Sequence, residues 1–588
     1  MKRLPAVDVV IVGGGWAGLL MAKELGSRTP LSVVVLERGE TRTASAAEYL
    51  NDMDELDYAV RGRLMQDDSL ETVTFRHALG DHALPLRQLR CFLPGTGVGG
   101  AGEHWDGTSD RHLPDCFEVF SKTVEKHAAK SLPPDCSIQD WGVTYDELEP
   151  YYTRAEQLMG VSGQAGNVRG KRIEGGNIFE GRRSAGYPTP PIKIPYFSAL
   201  FRSATESLGY HPYPSPCATL SEPFTNPDGV ARPGCTYCGF CSRYGCMIGS
   251  KAQPTSVLLP VIQNHKNVSI RAGAQVRRIS HDGGHNKGQA GGVVYSDASG
   301  EEIFQPADLV ILASWTLSNT RLLLLSGVAE PYNPLTGKGN VGRNLTHQVG
   351  AAVTLFFEKP LNRFMGTGSA AVFMSDFNGD LFDHAGLHFV RGGLLEAPSH
   401  GYAPIENFGL LPRSVKTAWG ADWKKAGIHY YDRTGHITFS GEHLAYKDNY
   451  MDLDPTYRDH WGDPLLRLTL DWRENERQMT AFAGVKLVEI ARAMKAKEIT
   501  PFSPLGHYDT RRYHSTHVQG GTIMGASPEN SVVNPYLQHW QLANLFILGG
   551  STFPQNAATH PTLTILAQTI RTADALVERF LKHPGPLA

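Results

Sequence analysis

The sequence lacks any apolar run that approaches the roughly 18 to 20 residues a helix needs to span a bilayer. It also has too few residues ahead of the first predicted strand for the apolar stretch and cleavage site of a signal peptide. We therefore expect the chain either to be cytoplasmic or to be exported while bound to a partner that carries the signal.

Neither sign of charge is in excess, and no internal repeat or low-complexity linker is present. The 588 residues include 56 Lys and Arg and 59 Asp and Glu, for a net charge of −3. Nucleic acid is not expected as a partner, because binding to its phosphates requires a basic excess. Glycine, in contrast, is abundant at 62 residues, which is typical of a cofactor enzyme with many tight turns.

A dinucleotide-binding unit opens the chain. The run VDVVIV at residues 7–12 predicts a buried strand, and the turn GGGWAG, a helix and a second buried strand follow it. Gly13, Gly15 and Gly18 allow the backbone and the helix N-terminus to approach a diphosphate. Glu37, at the end of the second strand, is predicted to accept hydrogen bonds from a ribose diol. The unit is compatible with both NAD and FAD.

A second glycine-rich segment, PGTGVGGAGEHWDG, spans residues 94–107. Such a segment has little structure of its own, so a ligand is expected to hold it. A flavin lying along Gly97, Gly99 and Gly100 would bring its ring to His104 and Trp105. The alternative is that His104 only packs or caps.

Half of the eight cysteines fall within one short segment, at Cys235, Cys238, Cys241 and Cys246. Thiolates at two-residue spacing converge on a metal, because the turn brings their sulfurs together. An iron–sulfur cluster would let a flavin enzyme pass electrons on singly. A zinc site and two disulfide bonds are the alternatives.

Two histidines lie in segments punctuated by Gly, Thr and Pro near the C-terminus: His517 in HVQGGTIMG and His560 in NAATHPTLT. Oxidation of an alcohol by hydride transfer also requires loss of the hydroxyl proton, and a histidine is suited to accept it. We predict that these two residues are catalytic, one as the base and the other as the group that holds the hydroxyl oxygen.

The order of the segments predicts an α/β fold with a Rossmann-like nucleotide-binding domain assembled from separate pieces. We assign residues 1–130, 215–345 and 505–588 to this domain. Residues 131–214 and 346–504 are assigned to an α+β substrate-binding domain that covers the cofactor. A helix is also predicted over residues 54–66.

Taken together, these motifs resemble the glucose–methanol–choline (GMC) oxidoreductases, and within them the flavoprotein subunits of membrane-associated gluconate 2-dehydrogenases. The resemblance covers nearly the whole chain. It is carried by the segments ETVTFRHALGDHALPLRQLRCFLPGTGVGGAGEHWDG, YHPYPSP, CTYCGFC, YMDLDPTYRDHWGDPLLRLTLDWRENERQM, HVQGGTIMG and FLKHPGPLA.

The resemblance implies an FAD-dependent dehydrogenase that oxidises a secondary hydroxyl of a sugar acid, D-gluconate to 2-keto-D-gluconate above all. Glycoside 3-dehydrogenase, polyol dehydrogenase and sugar oxidase are the alternatives. It implies that His517 is the base and His560 the second catalytic group. His104 stands where some members bond covalently to the flavin. Further FAD contacts are expected from Val276, Gly550, Ser551 and Thr562.

In related subunits an iron–sulfur cluster relays electrons from the flavin to a haem-bearing partner. The resemblance favours [3Fe-4S] over [4Fe-4S] here, although the cysteine spacing of this chain departs from that of the relatives. It also implies a small subunit with the export signal, a membrane-bound multihaem cytochrome c, and a location on the periplasmic face of the bacterial inner membrane.

Overall fold

The computed structural model describes residues 1–43, 64–89, 91–281, 288–363, 366–369, 371–399 and 408–587. The helix predicted over residues 54–66 lies outside the described residues except at 64–66. Within the described ranges, no helix is both long and apolar enough to cross a membrane.

The helices are α1 Trp16–Arg28, α2 Val119–His127, α3 Tyr145–Met159, α4 Tyr196–Ser207, α5 Pro254–Val257, α6 Leu259–Ile262, α7 Thr316–Ser326, α8 Gly420–Tyr431, α9 Glu474–Ala493 and α10 Thr562–Ala575. The strands of the first half are β1 Lys2–Arg3, β2 Val7–Val12, β3 Val33–Leu36, β4 Val73–Arg76, β5 Leu84–Pro85, β6 Asn167–Val168, β7 Lys171–Arg172, β8 Pro212–Pro214, β9 Phe224–Thr225, β10 Ala231–Arg232, β11 Val268–Arg271 and β12 Gln275–Ser280. Those of the second half are β13 Gly292–Ser296, β14 Glu302–Leu312, β15 Thr346–His347, β16 Val349–Phe356, β17 Ala371–Met374, β18 Gly393–Pro398, β19 Thr434–Gly441, β20 Tyr450–Arg458, β21 Pro464–Thr469, β22 Glu498–Thr500, β23 Val518–Gln519 and β24 Leu545–Ile547.

The main sheet has the order β11-β3-β2-β14-β13-β12, and β1 and β24 also pair with β14. The contacts of β2 with β3 and β14, of β3 with β11, and of β14 with β24 are parallel. The central strands are apolar because helices and loops cover both faces of the sheet. Since its strands come from the beginning, the middle and the end of the chain, the predicted Rossmann-like fold built from separate pieces is confirmed.

Strand β14 serves two parts of this sheet. Its first half, 302–306, is antiparallel to β13, and its second half, 307–312, is parallel to β2. The resulting β12–β13–β14 meander extends the sheet beyond the parallel core. The meander brings Val276, near the start of β12, into the wall of the cavity described below.

A second, antiparallel sheet faces the nucleotide-binding sheet across that cavity. Its order is β22-β16-β19-β18-β17-β8, and α9 packs on its other side with α4. Side chains from β16, β18 and β19 line the cavity. This sheet therefore forms the cover over the nucleotide-binding part of the molecule.

A smaller sheet, β20-β21-β4-β5, ties the two parts together. Strand β4 pairs in parallel with β21, although nearly 400 residues separate them along the chain. It thus joins a segment predicted for the nucleotide-binding domain to one predicted for the substrate-binding domain. The domain boundaries themselves stay predictions.

The long helix α9 ends at Ala493, although the sequence goes on with residues of high helix propensity, Met494–Lys497. Lys495 adopts a φ of 58°, which ends the helix, and the Lys497 N–H donates to Phe356 O at 2.8 Å. The chain then enters β22 and pairs with β16. The tertiary contact with β16, which the local pattern does not reveal, sets the helix boundary.

Candidate active site

A cavity of about 980 Å³ runs from the glycine turn after β2 to the two C-terminal histidines. The predicted site residues that line it are Gly13, Gly15, Glu37, Gly100, His104, Trp105, Val276, His517, Gly550, His560 and Thr562. Gly18, Gly97, Gly99 and Ser551 lie behind this lining. The four clustered cysteines are outside the lining, but their neighbours 242–244 are part of it.

The first glycine turn requires glycine at two of its positions. Gly13 has a φ of 101°, and a Cβ on it would lie 2.7 Å from the carbonyl oxygen of Ala313. A Cβ on Gly18 would lie only 1.9 Å from Gly13 O. Helix α1 begins directly after Gly15, so its unpaired N–H groups and positive dipole end face the cavity. The turn therefore provides a binding site for a diphosphate.

Glu37 lies at the bottom of this turn and is nearly fully buried. Its carboxylate accepts hydrogen bonds from the backbone N–H groups of Gly14 at 2.8 Å, Gly39 at 2.9 Å and Gly97 at 3.1 Å. These contacts fix the carboxylate where β3 ends. A carboxylate held at this point of a dinucleotide fold faces the ribose of the nucleotide.

The second glycine segment packs directly on the first. The Gly99 N–H donates to Gly14 O at 2.7 Å, and Gly97, Gly99 and Gly100 all have positive φ. Arg42 donates to the carbonyl oxygens of Val98 and Thr96 at 2.9 and 2.7 Å. The two segments thus form one continuous backbone surface along the cavity.

The C-terminal segments close the nucleotide end. Residues Gly550–Thr552 form a short helical turn after β24, and Ser551 Oγ accepts a hydrogen bond from Asn319 Nδ2 at 3.0 Å. Thr562 is the first residue of α10, whose N-terminus also faces the cavity. The cavity therefore receives the N-terminal ends of two helices, α1 and α10, both favourable to a negatively charged ligand.

His104 is 4% exposed, and its Nε2 has no hydrogen-bond partner among the described residues. Burial, together with the charges of Lys251 and Arg42, lowers the pKa of His104 to about 3. The imidazole is therefore neutral. Trp105 beside it donates from its indole nitrogen to Ala252 O at 2.7 Å. A buried neutral imidazole with an unused nitrogen in a cavity wall is suited to contact a cofactor ring.

The two C-terminal histidines meet at the other end of the cavity. The centroids of the His517 and His560 rings are 5.0 Å apart, and the ring planes are nearly perpendicular at 82°. Each ring contacts a residue of the wall through its Nδ1, and neither Nε2 has a hydrogen-bond partner among the described residues. A substrate hydroxyl between the rings could contact both.

The ring of His517 is hydrogen-bonded to a side-chain amide. Its Nδ1 lies 2.7 Å from Gln348 Oε1, and the Gln348 amide nitrogen donates to Ala558 O at 2.7 Å. Because the amide oxygen can only accept, the proton of His517 is on Nδ1 and the lone pair is on Nε2. Burial, and secondarily the charge of His560, lowers the pKa of His517 well below its usual value. His517 is thus a neutral base.

The ring of His560 is hydrogen-bonded to a carboxylate. Its Nδ1 lies 2.9 Å from Asp110 Oδ1, and its ring stacks on Phe373 with centroids 5.8 Å apart. Burial alone would lower the pKa of His560, but the charges of Asp110, Glu396 and Asp106 outweigh it and raise the pKa to about 9. His560 is therefore an imidazolium at neutral pH.

Sequence reasoning missed the residues that set these two protonation states. Gln348 precedes β16, Asp110 follows the second glycine segment, and Glu396 is on β18, far from either histidine in the chain. Burial raises the pKa of Glu396, which faces the cavity and accepts a hydrogen bond from Ser440 at 2.5 Å. The one local signal was Asp110, a buried acid close after a segment already assigned to the site.

The cysteine segment folds as an irregular loop in which all four thiols are free. Backbone N–H groups point at two of the sulfurs: Tyr237 N lies 3.3 Å from Cys235 Sγ, and Lys251 N lies 3.5 Å from Cys246 Sγ. Burial raises the pKa values of Cys235 and Cys241 to about 12. N–H groups directed at sulfur are typical of thiolates that bind a metal or cluster.

The sulfurs of the four clustered cysteines lie too far apart in this structure to bind a single zinc ion together. Tetrahedral Zn–S bonds of about 2.3 Å bring the sulfurs within about 4 Å of each other. Among the described residues, no three of the cysteine sulfurs lie within 4.8 Å of one another. The set that does meet this distance is His127, Asp380 and His384. The Arg391 guanidinium is 3.3 Å from the Asp380 carboxylate, so this set belongs to an ion-pair network.

Comparisons with known proteins agree with this arrangement. Residues 228–349 and 445–569 match the family models for the two parts of GMC oxidoreductases. The chain is 43% identical to the gluconate 2-dehydrogenase flavoprotein of Pantoea cypripedii, over 100% of this chain and 96% of that protein. It is 27% identical to the fructose dehydrogenase large subunit of Gluconobacter japonicus, over 97% and 98% of the two chains.

The fold is also shared with a solved structure, that of pyridoxine 4-oxidase from Mesorbium loti. The TM-score is 0.60 at 16% sequence identity, and the match covers 98% of this chain and 100% of the other. A glycine-lined dinucleotide cavity that ends at a base and an acid defines the class of cofactor-dependent alcohol oxidoreductases. The chain belongs to the GMC oxidoreductase family, and it is an FAD-dependent enzyme that oxidises a CH–OH group.

Proposed function

We propose that this protein is a dehydrogenase that oxidises a secondary hydroxyl of a sugar acid, D-gluconate to 2-keto-D-gluconate. The observation that carries the reaction type is the pair of His517 and His560, which meet 5.0 Å apart with opposite protonation states. The substrate is proposed from the extent of the similarity to the gluconate enzyme, which spans the whole chain.

The cavity wall around the histidines suits a polyhydroxylated substrate. Glu396, Thr438 and Ser440 provide acceptors and hydroxyl groups on neighbouring strands of the cover sheet. The side chain of Arg363 also lines the cavity, and its guanidinium donates to Thr434 O at 2.7 Å. Hydrogen-bond donors and acceptors on the cavity wall are suited to a substrate with several hydroxyl groups.

In this proposal His517 Nε2 accepts the hydroxyl proton of the substrate. Its lone pair is available because Gln348 holds the proton on Nδ1. His560, as an imidazolium, donates to the same oxygen and stabilises the negative charge that develops as the proton leaves. Because both rings contact the same oxygen, they fix the orientation of the substrate C–H bond in this proposal.

The described residues fit FAD at two places. The glycine turns, Glu37 and the ends of α1 and α10 accommodate the diphosphate and ribose, and His104 faces the flavin position with an unpaired buried nitrogen. FAD, when bound, supplies the acceptor for the hydride.

We propose a covalent bond between His104 and the flavin. Acid precipitation tests this bond: yellow colour retained in the protein pellet supports it, and yellow colour released into solution contradicts it.

Cys235, Cys238, Cys241 and Cys246 are proposed to hold an iron–sulfur cluster, [3Fe-4S] in preference to [4Fe-4S]. A [3Fe-4S] cluster takes three of the four thiolates, each on a different iron, so its ligand sulfurs lie further apart than around one zinc ion, as the sulfurs do here. Such a cluster would supply one-electron transfer to an external acceptor.

We propose two partners: a small subunit that carries the export signal, and a membrane-bound multihaem cytochrome c. The proposed location of the complex is the periplasmic face of the inner membrane.

Turnover tests the proposed substrate. The purified protein is assayed for ferricyanide reduction with D-gluconate, D-fructose, sorbitol and simple glucosides, and the gluconate product is identified by mass spectrometry. We expect the highest kcat/KM for D-gluconate with formation of the 2-keto acid. Rapid turnover of a glucoside with none of gluconate would contradict the proposal, and full-rate peroxide formation from O2 would identify an oxidase instead.

A further inference from the structure

Lys251 is fully buried between the segment that carries His104 and the cysteine segment. Its ammonium group donates to backbone carbonyl oxygens from both segments. On the His104 side these are Trp105 O at 2.5 Å and Glu103 O at 3.4 Å. On the cysteine side they are Tyr244 O at 2.7 Å and Cys241 O at 2.9 Å. Burial lowers the pKa of Lys251, and the four carbonyl oxygens around its nitrogen favour the charged ammonium form.

A second bridge joins the same two segments through Gln253. The Cys246 N–H donates to Gln253 Oε1 at 2.5 Å, and Gln253 Nε2 donates to the carboxylate of Glu103 at 2.6 Å. A direct backbone bond, from Arg243 N to His104 O at 2.7 Å, completes the contact. The cysteine segment and the His104 segment are therefore held together as one unit.

Lys251 is a fully buried lysine of this unit, and it contacts the cysteine segment directly. Its own N–H points at Cys246 Sγ at 3.5 Å, and its ammonium group binds the carbonyl of Cys241. The carboxylates that act on this ammonium group are those of Asp106 and Glu103, and Glu103 also accepts from Gln253 and from the N–H and hydroxyl of Thr255. A buried charge is screened far less than one at the surface.

We propose that Lys251 is a positioning residue that holds the His104 segment against the cysteine segment, and that its buried positive charge raises the reduction potential of the group bound by the cysteines. This inference rests on the proposed iron–sulfur cluster. One-electron reduction adds a negative charge to a cluster, and a nearby fixed cation stabilises that charge. The same ammonium group binds the carbonyl of Trp105, the neighbour of His104, so it also favours the reduced flavin at the proposed position beside His104.

Redox titration of the purified holoenzyme, followed by EPR for the cluster and by absorbance for the flavin, tests the proposal. Lys251→Met removes the charge, and Lys251→Arg retains it. Lys193→Met is the matched control, because Lys193 is exposed and lies 5.7 Å from the ring of Tyr237 in the same cysteine segment. We expect Lys251→Met to lower the reduced-to-oxidised ratio of the cluster at least tenfold at a fixed potential, equivalent to about 59 mV for one electron.

The flavin midpoint is expected to fall in the same variant, and it stays measurable if Lys251→Met no longer holds the cluster. Lys251→Arg and Lys193→Met are expected to leave both midpoints near those of the wild type. Unchanged midpoints in Lys251→Met, or an equal shift in Lys193→Met, would overturn the inference alone. A wild-type protein without iron and sulfide would overturn both the inference and the proposed cluster.

Discussion

Two loops each place a histidine, His517 or His560, at the same end of the cavity, but the two rings have opposite protonation states. An amide oxygen faces His517, and the ring is a neutral base with a lowered pKa. A carboxylate faces His560, and the ring is a cation with a pKa of about 9. The comparison shows that the residue hydrogen-bonded to Nδ1 decides the protonation state of each ring, and the proposed catalytic roles follow from these states.

The largest effect is expected from His517→Gln, which removes the base and keeps a polar side chain of similar reach. We expect kcat to fall by about 10² to 10⁴-fold, because no other neutral base adjoins the substrate oxygen in the proposed geometry. Steady-state kinetics with an artificial acceptor measure this, with FAD absorbance as the control for cofactor content. A loss smaller than tenfold would show that His517 is not the base.

Replacing His560 by Asn is expected to cost about 10² to 10³-fold in kcat, the usual cost of one donor to a developing oxyanion. The substitution should also remove the upper limb of the pH profile of kcat/KM, which is the fall in activity at alkaline pH. In the wild type kcat/KM is expected to fall as the pH rises through about 9, where His560 loses its proton. An upper limb that persists unchanged in His560→Asn would assign it to another group.

Asp110→Asn weakens the difference between the two loops without touching either ring. Without the carboxylate, the pKa of His560 should fall, since the charge of Asp110 is the largest of the causes that raise it. The upper limb of the kcat/KM profile then moves from about 9 toward neutral pH, and activity is lost at lower pH. Asp383→Asn, on an exposed residue, is the control and should leave the limb in place.

The smallest effect is expected at Gln348. In Gln348→Met the ring of His517 loses one hydrogen bond and either tautomer becomes accessible, for which we expect a loss of about three- to tenfold in kcat/KM. Gln348→Glu instead gives His517 the kind of partner that His560 has. It should raise the pKa of His517 and make activity fall at the acidic side of the profile, at a pH where the wild type is still active.

The nucleotide end of the site could be predicted from the sequence because its determinants are local. Gly13, Gly18 and Glu37 lie in one βαβ unit, and the backbone geometry that requires glycine there leaves a fixed pattern. The placement of His517 and His560 was also accessible from their flanking residues. Their assignment as catalytic residues stays a prediction.

What could not be predicted depends on pairing between distant segments. Gln348 and Glu396 reach the site only through the register of β16, β18 and β19, and nothing in their local sequence marks them. Lys251 looks like an ordinary surface lysine in the sequence, and only tertiary packing shows that it is buried. Short strands such as β8 and β17 were likewise missed, because a few residues carry no clear alternation without their partner.

The protonation states of the two histidines at neutral pH test the account most directly. They can be read from the side-chain nitrogen shifts of ¹⁵N-histidine-labelled protein at pH 7, with signals assigned by their loss in His517→Gln and His560→Asn. We predict a neutral His517 with its proton on Nδ1 and a His560 with both nitrogens protonated. Two neutral rings, or a protonated His517, would contradict this prediction.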